Sequence, residues 1–324
     1  MHYGSKRVGS LALITAALIW GGALVLQGQL ADKIPPFLFN ALRSYIGGFF
    51  LWSLQWMRKA KRSRQNTRHP TKNGEARDAW RDRVRRSRRG GLLCGILLSC
   101  SLNLQQFGLF LYPEGIPAEA RCGFLCSLHV IFVPLLTLLL GKRLSRSTWI
   151  SVLSAGIGVY LLCLWEGLSR IYLGDVLMLL SAFFFSLQIL TVARLGRDVD
   201  PMSMIVTQFL LCGSISLLLS LLTEQIGRAD LFAVLPSVLL LGIFASGIAY
   251  PLQIIGQRST NATVCSICLS LESVFATIGG WLFLGHALTL WEIIGCAFML
   301  LAILLAQLPE GREKQNAHPQ SNAL

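Results

Sequence analysis

The stretch LALITAALIWGGALVL, residues 11–26, carries no charged side chain. With its flanks it reaches the ~20 mostly apolar residues a helix needs to cross a hydrocarbon core ~30 Å thick. Nine further stretches of this kind follow, at about 36–57, 91–111, 118–140, 148–166, 174–194, 202–222, 232–254, 262–285 and 288–308. Lipid offers no water to an orphaned N–H or C=O, so such segments must satisfy their own backbone as helices. The chain reads as an all-α integral membrane protein with ten transmembrane helices.

Composition agrees, with 53% hydrophobic and 14% charged residues in 324. No length is left for a soluble catalytic domain. The longest polar insert, a basic loop at 58–89, is too short and too charged to bury a core. Net charge is +13, and 14 of the 29 Lys and Arg residues fall between Arg58 and Arg89. Most of the others flank the even-numbered connections and the termini, which is the positive-inside bias. It places both termini and the basic loop in the cytoplasm. Nucleic acid is excluded as a partner, because no folded, aromatic-interleaved module surrounds the arginines; anionic lipid headgroups suit them better. The first apolar segment outruns a signal-peptide core and reads as a span.

All nine cysteines lie inside the apolar stretches, which argues against a disulfide framework. Cys265 and Cys268 form a CxxC, and Cys122 and Cys126 sit one turn apart, but no four donors converge for zinc. They read as small packing residues, and no metal or cofactor is expected. HExxH, GxSxG and GxxxxGKS/T are absent, so the chain is not expected to be an enzyme or to draw directly on ATP.

The halves echo one another. Leu140-Gly141-Lys142-Arg143-Leu144-Ser145 returns as Leu284-Gly285-His286-Ala287-Leu288-Thr289, and Ala17-Leu18-Ile19-Trp20-Gly21 as Ala182-Phe183-Phe184-Phe185-Ser186. Five spans per half, an odd number, insert the second copy upside down. Two inverted five-helix repeats, at 8–166 and 173–308 with a cytoplasmic tail at 309–324, suit a secondary transporter whose site lies near the midplane.

Several segments resemble the drug/metabolite transporter superfamily, EamA type: Gly123-Phe124-Leu125 through Val133-Pro134-Leu135-Leu136; Gly174-Asp175-Val176-Leu177 with Ser181-Ala182-Phe183; Ala249-Tyr250-Pro251-Leu252-Gln253; and Ser270-Leu271-Glu272-Ser273-Val274-Phe275-Ala276. The resemblance covers about 8–308. It implies alternating-access export of small metabolites or amino acids through the bacterial inner membrane. At His286 family members often carry an acidic residue.

Charges inside the hydrocarbon are the sharpest local signal, since each costs ~2.5–3.5 kcal/mol at a helix centre on insertion scales. Glu272 lies ~16 Å along a helix starting near Asn261, close to the midplane, where a carboxyl can exchange protons or meet an ammonium group. Arg43, two turns into the second span, could fork onto a carboxylate or phosphate or snorkel to headgroups. Glu119 and Arg121, at the outer end of the fourth helix, could pair or gate at the interface but read more readily as a solvated helix end, and Asp175 as a cap. Asn103 and Gln106 share one helical face while Gln105 points elsewhere. Gln188, Gln208, Tyr250 and Gln253 add hydrogen-bonding groups that must face protein or water, and Trp20 offers an apolar wall. Gly242 and Ser246, four apart, suit close helix contact. The substrate-site candidates are therefore Glu272, Arg43, Trp20, Asn103, Gln106, Gln188, Tyr250 and Gln253. Besides a proton-linked solute exporter, two alternatives stand: a flippase or scramblase of lipid-linked substrates, and a membrane sensor without transport.

Overall fold

The computed structural model describes residues 6–30, 33–66, 74–113, 118–142, 144–163, 171–195, 199–225, 231–284 and 289–307. The tail at 309–324, His286 and the centre of the basic segment, 67–73, lie outside them. Helices are α1 (Lys6–Gly28), α2 (Pro36–Asn66), α3 (Gly74–Phe110), α4 (Ala118–Ser127), α5 (His129–Leu139), α6 (Arg146–Cys163), α7 (Leu173–Leu195), α8 (Pro201–Thr223), α9 (Leu231–Leu241), α10 (Tyr250–Gln257), α11 (Ala262–Leu269), α12 (Leu271–Leu284) and α13 (Leu290–Gln307); a π-helical stretch, Gly242–Ala249, joins α9 to α10. Among the described residues there is no strand.

Seven stretches are long and apolar enough to cross a membrane: Val8–Gly28, Arg81–Phe110, Arg121–Leu139, Leu173–Leu195, Pro201–Thr223, Phe232–Gln257 and Ala262–Phe283; Leu290–Ala306 is a shorter apolar helix. α2, whose early turns hold Asn40, Arg43, Ser44 and Tyr45, is not among the seven. The basic segment departs from its reading as a loop. α2 runs on to Asn66 and α3 begins at Gly74. Arg, Lys, Ala and Gln are good helix formers, and an existing helix elongates at little cost once nucleated.

Three of the spanning rods are interrupted. α4 gives way to α5 at Leu128, and Pro134 lies inside α5. α11 gives way to α12 at Ser270. Between α9 and α10 the backbone widens into the π stretch just before Pro251, which has no N–H for the carbonyl four residues back. All three interruptions fall near the middle of their rods. The two fourth-position rods meet there, Ser127 Oγ lying 3.1 Å from Ser273 Oγ.

Packing is shared evenly between the halves. α1 lies on α12 and α10, α2 on α8 and the π stretch, α3 on α7 and α8, α4 and α5 on α7, and α6 on α13. Match α1 with α7, α2 with α8, α3 with the α9–α10 rod, α4–α5 with α11–α12, and α6 with α13. Each pairing then maps onto another or onto itself. The core lies where these contacts meet, around Leu13, Phe39, Leu98, Ile189, Met204, Phe209 and Ile254.

One end, the basic end, carries the arginines; there Ser87 Oγ accepts from Asp200 N at 2.6 Å, and an Arg258 Nη2 donates to the Val199 carbonyl at 2.6 Å. At the opposite end the Glu224 carboxylate caps α2, accepting from Phe37 N at 2.7 Å and Leu38 N at 2.9 Å. Close contact at mid-depth depends on glycine. A Cβ on Gly47 would sit 2.5 Å from Ser246 Cβ and 2.9 Å from the Gly242 carbonyl, whereas one on Gly22 meets nothing within 4 Å. Gly47→Ala is therefore expected to lower stability by about 1–3 kcal/mol through overpacking, and Gly22→Ala by less than about 0.5 kcal/mol. Thermal unfolding of the detergent-solubilised variants measures both.

Candidate functional site

A cavity of about 60 Å³ opens among α1, α2, α3, α7, the π stretch and α12. Each interrupted rod contributes: Cys126 from the end of α4, Ala245, Ser246 and Tyr250 from the π stretch and its exit, and Glu272 from the first turn of α12.

The aromatic wall is built on Trp20, which is 8% exposed. Its Nε1 donates to the Ala245 carbonyl at 3.0 Å, tying α1 to the π stretch. Tyr250 meets its ring edge-on at 4.8 Å and Phe185 at 5.9 Å. Tyr250 is backed in turn by Phe209 at 4.9 Å. Such edge-to-face contacts fix ring orientation and leave flat apolar surface toward the cavity.

Two charged groups share this space. Arg43 is 4% exposed, and its guanidinium lies 5.4 Å from the centre of the Phe39 ring. Its buried Nε has no hydrogen-bond partner among the described residues. Glu272 gains from the break at Ser270, which places it in the first turn of α12, where the helix dipole favours negative charge. Among the described residues neither Arg43 nor Glu272 makes an ion pair, with the other or with any third group.

Four of the sequence candidates, Trp20, Arg43, Tyr250 and Glu272, thus come together on one cavity. The other four do not line it. Asn103 is consumed by structure: its Nδ2 donates to Ser99 Oγ at 3.0 Å, and its Oδ1 accepts from Asn40 Nδ2 at 3.2 Å and Ser216 Oγ at 2.9 Å. Gln106 is buried outside the lining. Gln188 and Gln253 sit about one turn beyond Phe185 and Tyr250, Gln253 Nε2 donating to Gln188 Oε1 at 3.3 Å. On α3 the cavity face is that of Ser101 and Gln105, four apart. The Gln105 amide reaches Cys126 Sγ at 3.3 Å. Gln27, Ser181 and Ser246 complete the polar lining. Their signal is faint in sequence: small or hydroxyl residues four positions from an aromatic or amide, as in Ser181–Phe185 and Ser246–Tyr250.

Arg121 corrects its reading as a solvated helix end. It is 7% exposed; its Nε donates to Asp175 Oδ1 at 2.9 Å, and its Nη2 pairs with Oδ2. Asp175 also accepts from Tyr112 Oη at 2.6 Å and, as a cap, from Tyr172 N at 2.8 Å. The guanidinium lies 5.0 Å over Tyr172 and 5.8 Å over Tyr112. Burial and the neighbouring carboxylate push the Tyr112 phenol well above its usual range, so it remains a donor. The pair joins the starts of α4 and α7, which pack together at the end opposite the arginines. Asp175→Ala is expected to cost about 3 kcal/mol, because it removes the carboxylate that neutralises the Arg121 guanidinium. The Arg121→Leu/Asp175→Ala double variant should lose less than the two single losses added together, as read from unfolding midpoints.

Comparison with known proteins fits this architecture. The EamA-like transporter family matches residues 7–164 and again residues 172–308. An uncharacterized transporter of Archaeoglobus fulgidus is 26% identical over 307 residues, spanning 94% of this chain and 88% of its own length. The uncharacterized transporter YoaV of Bacillus subtilis is 20% identical over 309 residues, spanning 94% and 98%. A protein of known crystal structure shares the fold, with a TM-score of 0.72 at 21% identity over 94% of this chain and 98% of its own. Matched twice along its length, over nearly all of its spanning segments, the chain belongs to the EamA-like transporter family.

Proposed function

We propose that this membrane transporter moves a small organic solute outward across the inner membrane by alternating access between two inverted five-span halves, with proton movement coupled through Glu272. The observation that carries the reading is the cavity itself, which holds a carboxyl and a guanidinium that make no ion pair among the described residues. Charges left unpaired at mid-depth in lipid cost several kcal/mol unless ligand, water or a proton relieves them. Trp20, Tyr250 and Phe185 give the solute an apolar face to lie on. Arg43 suits an anionic group and Glu272 a cationic group or a proton. In this reading the chain is a carrier, not an enzyme, with its basic end and both termini in the cytoplasm.

Alternating access also needs a closed half-path on the other side of the site. The buried amides of Gln188, Gln253 and Gln208 support one. Among the described residues, Gln188 Nε2, Gln253 Oε1 and both polar atoms of Gln208 have no hydrogen-bond partner. Below them, a second hollow of about 160 Å³ lies at Gln257 and Arg258, toward the basic end. Each unsatisfied buried group costs roughly 1–3 kcal/mol. Hydration of that seam in the opposite state would recover the loss.

Proteoliposomes loaded with a mixture of cellular metabolites and placed under a pH gradient test the reading. The wild-type protein should deplete a subset of the mixture and dissipate the gradient, as followed by an internal pH dye. Glu272→Gln should abolish both while retaining the wild-type unfolding midpoint. Gradient-dependent flux surviving in Glu272→Gln would remove the proton coupling. No depletion of any solute by the wild-type protein would remove transport itself and favour the sensor reading.

A further inference from the structure

A third, larger recess lies on the outside of the bundle, between α2, α3 and α8. Its volume is about 460 Å³, and it plays no part in the central cavity. Its residues are graded along its length. At the basic end stand Gln55, Arg88 and Ser203, with Gln55 Nε2 donating to Ser203 Oγ at 2.7 Å. Deeper in lie Leu92, Leu210 and Leu211, with the half-exposed Trp52 along one side. Ser214 closes the inner end, its hydroxyl directed to the Leu210 carbonyl at 2.8 Å and to Tyr45 Oη at 3.1 Å. Thr207 likewise bonds the Ser203 carbonyl at 2.8 Å. These hydroxyls are spent on protein, and the deep part of the recess presents mainly hydrocarbon.

From Ser203 to Ser214 is eleven residues of α8, about 16 Å. That is about half the ~30 Å hydrocarbon core, the depth of one leaflet. At the mouth, Arg88 is exposed and makes no ion pair or hydrogen bond among the described residues. Arg85, Arg86 and Arg89 are exposed beside it on α3. The carboxylate on the adjoining element, Asp200, is already engaged, accepting from Ser203 N at 2.9 Å. A positive mouth above an apolar channel one leaflet deep complements one class of molecule, an amphiphile with an anionic head and an acyl tail.

We propose that this recess is a binding site for one anionic glycerophospholipid of the leaflet at the basic end. Its phosphate lies at Arg88 and the Gln55–Ser203 pair, and an acyl chain lies along Leu92, Leu210 and Leu211 beside Trp52. A zwitterionic phospholipid offers the same chain, but its ammonium group meets the arginines unfavourably. The site acts independently of the solute cavity and holds whether or not Glu272 couples protons.

Native mass spectrometry of the detergent-purified full chain tests this, with phosphatidylglycerol and phosphatidylcholine of identical chains as probes. One phosphatidylglycerol should be retained in preference to phosphatidylcholine. Arg88→Ala should weaken its retention about fivefold, on the scale of one basic residue at a membrane surface. Arg86→Ala removes the same charge from the same helix outside the recess and should weaken retention clearly less than Arg88→Ala does. Leu211→Trp, which fills the channel, should abolish retention in a protein whose unfolding midpoint stays near wild type. Equal retention of the two lipids, or equal weakening by Arg86→Ala and Arg88→Ala, would overturn the site. So would full retention in Leu211→Trp.

Discussion

A backbone group orphaned at the middle of a bilayer finds no water to bond, and this structure interrupts three of its rods at that depth. Protein supplies the missing partners. At the α11–α12 break, Ser270 Oγ donates to the Ile267 carbonyl at 2.9 Å and Ser273 Oγ to the Ser270 carbonyl at 2.7 Å. At the α4–α5 break, His129 Nδ1 lies 2.8 Å from the Cys126 carbonyl. At the π stretch, Trp20 Nε1 serves the Ala245 carbonyl. Two short hydroxyls and two ring nitrogens do what a straight helix does for itself.

The interruptions create the site. A continuous helix would present Glu272 in mid-helix, with no dipole end to favour its charge; the break puts it in a first turn. The π stretch rotates Ser246 toward α2, where Gly47 makes room, and sets Tyr250 against Trp20. Removing a side chain at Gly47 and widening a helix turn at Gly242–Ala249 are two halves of one local solution. They bring α2 close enough for Arg43 to reach the same space as a residue on α12.

Much of this is legible in sequence, because a membrane makes hydropathy decisive. The apolar runs, the two-half organisation and the mid-depth charges Arg43 and Glu272 all come from composition by position. What escapes reading depends on neighbours. Nothing in α3 alone tells which face looks inward: Asn103 and Gln106 are no less polar than Ser101 and Gln105. α3 is fixed by α7 and α8, and Asn103 is drawn to Asn40 and Ser216 on α2 and α8. Arg121 and Asp175 stand 54 positions apart, so no local pattern joins them. The arginine-rich segment reads as a loop because charge implies solvent, yet solvent and helix are compatible when the helix is already nucleated in the membrane.

The buried ion pair at one end and the two ionisable groups at mid-depth, which have no ion-pair partner among the described residues, answer the same physical problem in opposite ways. Arg121 and Asp175 neutralise each other, gain two tyrosines, and so add rigidity where α4 meets α7. Arg43 and Glu272 share a cavity, yet no direct bond joins them. Had they been paired like Arg121 and Asp175, a charged solute would have to break a bidentate, low-dielectric contact before binding, at a cost of several kcal/mol. Held apart, they leave that interaction energy to be realised with the ligand. The partner each charge has, or lacks, therefore separates scaffold from site more sharply than depth does, since both kinds are withdrawn from water.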